Sequence, residues 1–158
     1  MLADGAERWL VSVSPAKGAE KQEQESAIRA ALISEEIARL RRALDRVIKV
    51  QGELVWGAAN RLFISKEIPD RFPYAKFVLS PAQIRVRDMK SRWGSCHVQQ
   101  GVITINARLC FATEEMISYV VCHELCHFFY PNHKKEFYQL LRTAMPNADD
   151  IRKQLHDK

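Results

Sequence analysis

The chain has 158 residues, 47% of them hydrophobic and 27% charged, with a formal net charge of +5 at pH 7. This length and composition predict one compact domain with its own hydrophobic core. Apolar stretches fall short of the ~18 residues of a membrane span, and residues 1–13 lack the pattern of a signal peptide. We therefore expect a cytoplasmic protein without a membrane segment. The modest positive charge allows nucleic acid as a partner but does not require it.

Two regions differ in pattern. Residues 1–24 are polar and interrupted, which predicts a poorly ordered arm or linker ahead of a single domain over residues 25–158. From residue 25 to about 50, apolar residues recur every three or four positions, so a long amphipathic helix is expected. Its apolar stripe consists of Ile33, Ile37, Leu40, Leu44 and Val47. A second helix is predicted over residues 54–64, where Gly57 weakens the pattern.

Three short segments are candidate strands: residues 83–88, 92–97 and 102–106. The first and third alternate in side-chain character, as expected for residues that point to opposite faces of a sheet. The segment between the second and third strands, residues 97–101, is a candidate hairpin turn.

The remaining chain predicts helices. Thr113 is a good N-cap, and two glutamates follow in the first turn, where the helix dipole favours negative charge. This helix should end before Pro131, because the residue preceding a proline disfavours the α conformation. Another helix is expected from near His133 to Pro146, and a short one near the C-terminus. The order of elements predicts an α+β domain with a small three-stranded sheet.

One string within the predicted helix suggests metal chemistry: His123-Glu124-Leu125-Cys126-His127. Residues four apart lie on one face of a helix, so the two imidazoles can reach the same ion. A carboxylate one position beyond the first histidine lies beside that ion and can act as a general base. The string therefore predicts a helix that carries a catalytic Zn²⁺ site, with Glu124 as the base.

Catalytic zinc sites use three protein ligands and leave one position open. His133 is the best candidate for the third ligand, since Pro131 and Asn132 can turn the chain back toward the first two. His97 in the predicted turn and His156 near the C-terminus are weaker alternatives.

The four cysteines are Cys96, Cys110, Cys122 and Cys126. Cys122 and Cys126 are four apart and each neighbours a histidine, so a structural Cys/His zinc site is an alternative. Each cysteine would point about 100° away from its neighbouring histidine, however, which favours core packing. Core packing is also expected for Cys110, and a nucleophilic role for Cys96 has no identifiable base to support it.

Several strings, taken in order, resemble a known family. They are VRDMKSRWGSC over residues 86–96, GVITIN over 101–106, YVVCHELCH over 119–127 and PNH over 131–133, followed by Phe137. On these motifs the chain resembles the YgjP-type metallopeptidases, a family related to the SprT-like and WLM peptidases of the gluzincin group. The resemblance covers roughly residues 84–155.

The resemblance implies a minimal gluzincin-like fold, with the small sheet beside the active-site helix and the C-terminal helices after it. It implies zinc on His123, His127 and His133, Glu124 as the general base, and a peptide or protein as the substrate. An edge of the sheet could then hold an extended peptide.

Further contacts are less specific. Arg92, Trp93 and Tyr130 are candidate substrate contacts, although packing roles fit Arg92 and Trp93 equally well. Tyr130, Tyr138 and Arg92 are candidate oxyanion donors.

Two other functions remain open from the sequence. The first is a nucleic-acid-associated protein like the SprT-like relatives, which act on proteins attached to DNA. No zinc ribbon of paired C-x-x-C motifs follows the catalytic part, which argues against a dedicated DNA-binding unit. The second is a structural zinc domain without activity, which a closed site with four protein ligands would favour.

Overall fold

The computed structural model describes residues 19–156, which form six α-helices and three β-strands around one core. In chain order they are α1 (Ala19–Leu62), α2 (Ile68–Arg71), α3 (Lys76–Leu79), β1 (Gln83–Arg87), β2 (Gly94–His97), β3 (Val102–Asn106), α4 (Glu114–Cys126), α5 (Lys135–Ala144) and α6 (Ala148–His156). Short 3-10 helices cover Ser65–Glu67 and Ala107–Phe111. The predicted α+β class is confirmed. Within this part of the chain, no helix combines the length and apolar character needed to cross a membrane.

The first helix is longer than predicted, because the two helices expected over residues 25–50 and 54–64 are one continuous helix, α1. Gly52 continues the helix where a larger residue would not fit: a Cβ there would lie 2.7 Å from the carbonyl oxygen of Val78. Helix α1 can therefore approach the end of α3 closely. Of the predicted arm, residues 1–18 lie outside the described residues, and residues 19–24 form the first turns of α1.

Helix α1 packs on α4 and α5, and its apolar stripe faces the core, as its spacing predicts. Ile37, Leu40, Leu44 and Val47 are buried, and Ile33 is half-buried. Burial of each such side chain stabilises the fold by about 1.5–3 kcal/mol. The stripe thus fixes α1 against the helix that carries the metal motif.

The three strands form a mixed sheet in the order β1-β3-β2. Strand β3 is central and fully buried; it pairs parallel to β1 and antiparallel to β2. A tight turn joins β2 to β3, as predicted, and Gly101 closes it with φ of +70°, a conformation that favours glycine. A Cβ at Gly101 would also lie 2.5 Å from the Phe77 ring. Because β3 is the central strand, β2 is an edge strand of the described sheet, and it packs against α4.

Helix α4 begins where its cap predicts. The Thr113 hydroxyl accepts a hydrogen bond from the backbone N–H of Met116 at 3.2 Å, which satisfies one of the free amides of the first turn. Most of the helix is buried, and it ends at Cys126, before Pro131 as expected. The following helix starts at Lys135, two residues later than expected, so His133 lies in the connection between α4 and α5.

Candidate active site

Three histidines converge at the C-terminal end of α4. His123 lies in the last turn of α4, His127 immediately follows it, and His133 approaches from the connection to α5. Each offers one nitrogen, and the three nitrogens lie within 4.8 Å of one another. The Nε2 atoms of His123 and His133 are 3.0 Å apart. The sequence alternatives His97 and His156 are not part of this group.

The His127 ring is oriented by the backbone. Its Nδ1 lies 3.0 Å from the carbonyl oxygen of Tyr130, an acceptor only, so the proton is on Nδ1. Nε2 is then free as a lone-pair donor, the usual arrangement for a metal-binding histidine. The turns after α4 thus orient His127 through a main-chain group, with no side-chain partner required.

Burial keeps His123 and His127 neutral. It is the largest of the effects that lower the pKa of His123 to about 3, and the neighbouring histidines and Arg152 act in the same direction. Burial also lowers the pKa of His127, against the opposing effect of its hydrogen bond to Tyr130. A neutral imidazole is the form that binds a metal ion.

The ring of Phe137 supports all three histidines. It is fully buried in the first turn of α5, and its centroid lies 4.9 Å from that of His123, 4.6 Å from His127 and 5.0 Å from His133. Since close packing restricts side-chain rotamers, this ring limits the movement of the three imidazoles.

The donor set fits a zinc-type ion. Two nitrogens bound to a tetrahedral ion at 2.0–2.1 Å are about 3.3 Å apart, close to the separation of His123 and His133. Among the described residues the group contains no fourth protein ligand. Three imidazoles with an open position match catalytic zinc sites and differ from closed structural sites.

Glu124 lies beside the histidines on the buried side of α4. Its side chain is 5% exposed, and burial raises the pKa of its carboxyl to about 8, while the guanidinium of Arg92 lowers it. Gly94 in β2 makes room for it, because a Cβ there would lie 3.0 Å from Oε2 of Glu124. The edge strand and the carboxyl are thus in direct contact.

A cavity of about 550 Å³ opens over this group. It is lined by the edge strand with the segment before it, and by side chains of α4, α5 and α6. The strand and its neighbouring segments contribute residues 91–96 and Val98; the helices contribute, among others, Tyr119, Tyr138, Arg152, Leu155 and His156. This volume is in the range of ligand pockets.

The predicted substrate contacts fall in different places. Arg92 and Trp93 both line the cavity, as does Tyr138. Tyr130 is not among the described residues that line it: its ring packs against Phe63 and Phe72, and its carbonyl orients His127. Tyr130 therefore contributes through its main chain.

Asn106, at the end of β3, is a site residue that the sequence interpretation missed. Its Nδ2 donates to the carbonyl oxygens of Met89 at 2.9 Å and Arg92 at 2.7 Å. Its Oδ1 accepts from the backbone N–H of Arg108 at 3.0 Å and of Met89 at 3.4 Å. The buried amide holds the loop that presents Arg92 and Trp93. An asparagine closing a buried strand was the available signal.

The cysteines take packing positions. Cys122 and Cys126 are fully buried in the core and do not belong to the histidine group. Cys96 lines the cavity, but burial and then the charge of Glu124 raise the pKa of its thiol to about 12. A thiol with so high a pKa is a poor nucleophile near neutral pH.

The family model described as YgjP-like, metallopeptidase domain, matches residues 7–158. The chain is also similar to the crystal structure of the metallopeptidase zymogen of Pyrococcus abyssi abylysin, with 22% sequence identity and a TM-score of 0.45. That similarity covers 56% of this chain and 90% of the other. No curated protein sequence matches the chain.

Proposed function

The chain belongs to the YgjP-like metallopeptidase family, and we propose that it hydrolyses peptide bonds with a zinc ion held by His123, His127 and His133. The observation that carries the proposal is the convergence of three nitrogens beside one buried carboxyl. Three converging imidazoles and an open cavity suit catalytic zinc better than a structural site.

Glu124 is the proposed general base. A zinc ion in this site would lower the pKa of a water molecule and polarise the scissile carbonyl. Glu124 takes a proton from the attacking water and passes it to the leaving amine. Burial supports this role, since it brings the pKa of the carboxyl close to neutrality, where a group can both accept and release a proton.

The substrate is proposed to bind along β2. Within the described sheet β2 pairs only with β3, so its other edge has backbone groups free for an added strand. The same segment lines the cavity and contacts Glu124 through Gly94. An extended peptide at that edge would therefore pass close to the proposed base.

The proposal is tested with Glu124→Gln, which keeps the shape of the side chain and removes its basicity. Zinc-loaded wild-type protein is expected to cleave an unfolded protein such as casein. The variant should keep its zinc and its fold, while the rate falls by about 10²–10⁴-fold. Glu115→Gln is the matched control, because Glu115 lies exposed in the first turn of the same helix.

Two results would contradict the proposal. Equal cleavage by wild type and Glu124→Gln would remove Glu124 from the chemistry. Zinc binding by wild type without cleavage of any unfolded protein or peptide would favour a domain without peptidase activity. Elemental analysis and circular dichroism on each variant separate these results from loss of metal or fold.

A further inference from the structure

The part of the cavity that α6 lines carries a positive charge that the proposed reaction does not use. Arg152 and His156 are four apart on α6 and both line the cavity, together with Tyr138 of α5. Residues four apart share one face of a helix, so this face of α6 is turned toward the histidine group.

The charge of Arg152 is not neutralised by an ion pair within residues 19–156. The nearby Asp149 pairs instead with Arg142, at 3.1 Å. The guanidinium of Arg152 lies 5.9 Å from the centroid of the Tyr138 ring, close enough for a cation–π contact. Among the side chains of residues 19–156 that line the cavity, Glu124 is the only acidic one, and Arg92 and Arg152 are basic.

Distances place Arg152 within reach of a bound peptide. The Tyr138 centroid is 6.3 Å from that of His133, so Arg152 is at most about four extended residues from the metal-binding group. A guanidinium at this position offers donors in the geometry that matches a carboxylate.

We propose that Arg152, with Tyr138 and His156, forms a subsite that binds a carboxylate of the substrate within four residues of the cleaved bond. This inference rests on the proposed peptidase function. The carboxylate belongs to an aspartate or glutamate side chain, or to the C-terminus of a short peptide.

The test uses peptides that differ only in charge. One series carries a single Glu at each of the four positions on either side of the cleaved bond, with blocked ends; a matched series carries Gln. A third peptide has Gln and a free C-terminus. The proteins are the zinc-loaded wild type, Arg152→Gln, Arg152→Lys and the control Lys153→Gln, which removes the same charge from an exposed neighbour outside the cavity.

For a Glu at one of the tested positions, or for the free C-terminus, kcat/KM of the wild type should be about three- to tenfold higher than for the matched peptide without that carboxylate. Arg152→Gln should lose this preference, Arg152→Lys should keep part of it, and Lys153→Gln should keep all of it. Whether the Glu series or the free C-terminus shows the preference identifies the source of the carboxylate.

Binding to Glu124→Gln, measured by fluorescence anisotropy, provides a readout that does not need cleavage. Suppose that wild type cleaves no peptide, that the carboxylate peptide binds more tightly than its matched peptide without the carboxylate, and that adding Arg152→Gln to Glu124→Gln removes this difference. The peptidase function then fails and the subsite stands. If peptides are cleaved but wild type and Arg152→Gln treat both series alike, the subsite is overturned and the peptidase stands. Equal binding of both series, or none, also overturns the subsite.

Discussion

Asn106 offers a sharp test of how the cavity is built, because one buried side chain holds a loop that has no regular secondary structure. It is 3% exposed and makes three hydrogen bonds of 3.0 Å or less, two of them as donor to the carbonyls of Met89 and Arg92. We predict that Asn106→Ala loosens the segment between β1 and β2 and destabilises the protein.

The magnitude follows from the bonds lost. A net contribution of about 0.5–1.5 kcal/mol for each of the three gives a loss of about 1.5–4.5 kcal/mol in the free energy of unfolding. For a protein of this size, each kcal/mol lowers Tm by about 2–4 °C, so Tm should fall by about 3–18 °C. Asn60→Ala is the matched control, since Asn60 accepts one hydrogen bond, from Ser65 at 2.9 Å, and should change Tm by a few degrees at most.

Asn106→Asp separates the hydrogen bonds from the packing, because the two side chains have the same shape. The new carboxyl would face the carbonyl oxygens of Met89 and Arg92, which repel its ionised form. Its pKa in the folded protein is therefore raised above the unfolded value of about 3.9. Stability should be highest below that pH and should fall as the pH rises through the folded pKa.

The assays are urea unfolding followed by circular dichroism, and thermal melting of Asn106→Asp from pH 3 to pH 8, each relative to wild type at the same pH. An Asn106→Ala variant no less stable than Asn60→Ala would refute the role given to the amide. An Asn106→Asp variant whose deficit does not grow with pH would refute the orientation of the amide, with its nitrogen toward the two carbonyls.

Two further predictions concern the metal ligands and helix α1. His133→Ala should lower the zinc content strongly by elemental analysis, whereas His97→Ala should leave it unchanged; full zinc in His133→Ala would point to another third ligand, such as the carboxylate of Glu136. Gly57→Ala should raise stability by about 0.4–1 kcal/mol, because the helix is retained and nothing but the end of a flexible arginine lies near the added methyl. Gly52→Ala should lower it, since its Cβ would meet a carbonyl oxygen at 2.7 Å; equal chemical denaturation midpoints for the two variants would contradict the close approach of α1 and α3.

The features that could be predicted from the sequence depend on residues close together in the chain. The stripe of α1, the Thr113 cap and the alternation of β3 involve neighbours within one helix or strand, so spacing alone predicts them. The pair His123 and His127 is likewise local, because the helix fixes their relative position. The proximity of His133 also followed, since the turn before it is short.

Contacts between distant segments were set by the tertiary structure. Glycine has a low helix propensity, so Gly52 by itself gives no sign that it lies inside α1. It is there because α3 leaves no room for a side chain at this position. Tyr130 packs its ring away from the cavity because Phe63 and Phe72, about sixty residues earlier in the chain, lie behind it. Aromatic residues near a motif are equally suited to a cavity wall and to a core.

The sequence by itself thus determined the α+β class, the family and the three histidines with their neighbouring glutamate. Only the tertiary structure decided which groups complete the cavity: Gly94 against Glu124, Asn106 bonded to the carbonyls of Met89 and Arg92, and Arg152 of α6 in the lining. The physical reason is the range of the interactions. Helix and strand periodicity couples residues a few positions apart, whereas hydrogen bonds and close packing between elements depend on how those elements are arranged in space.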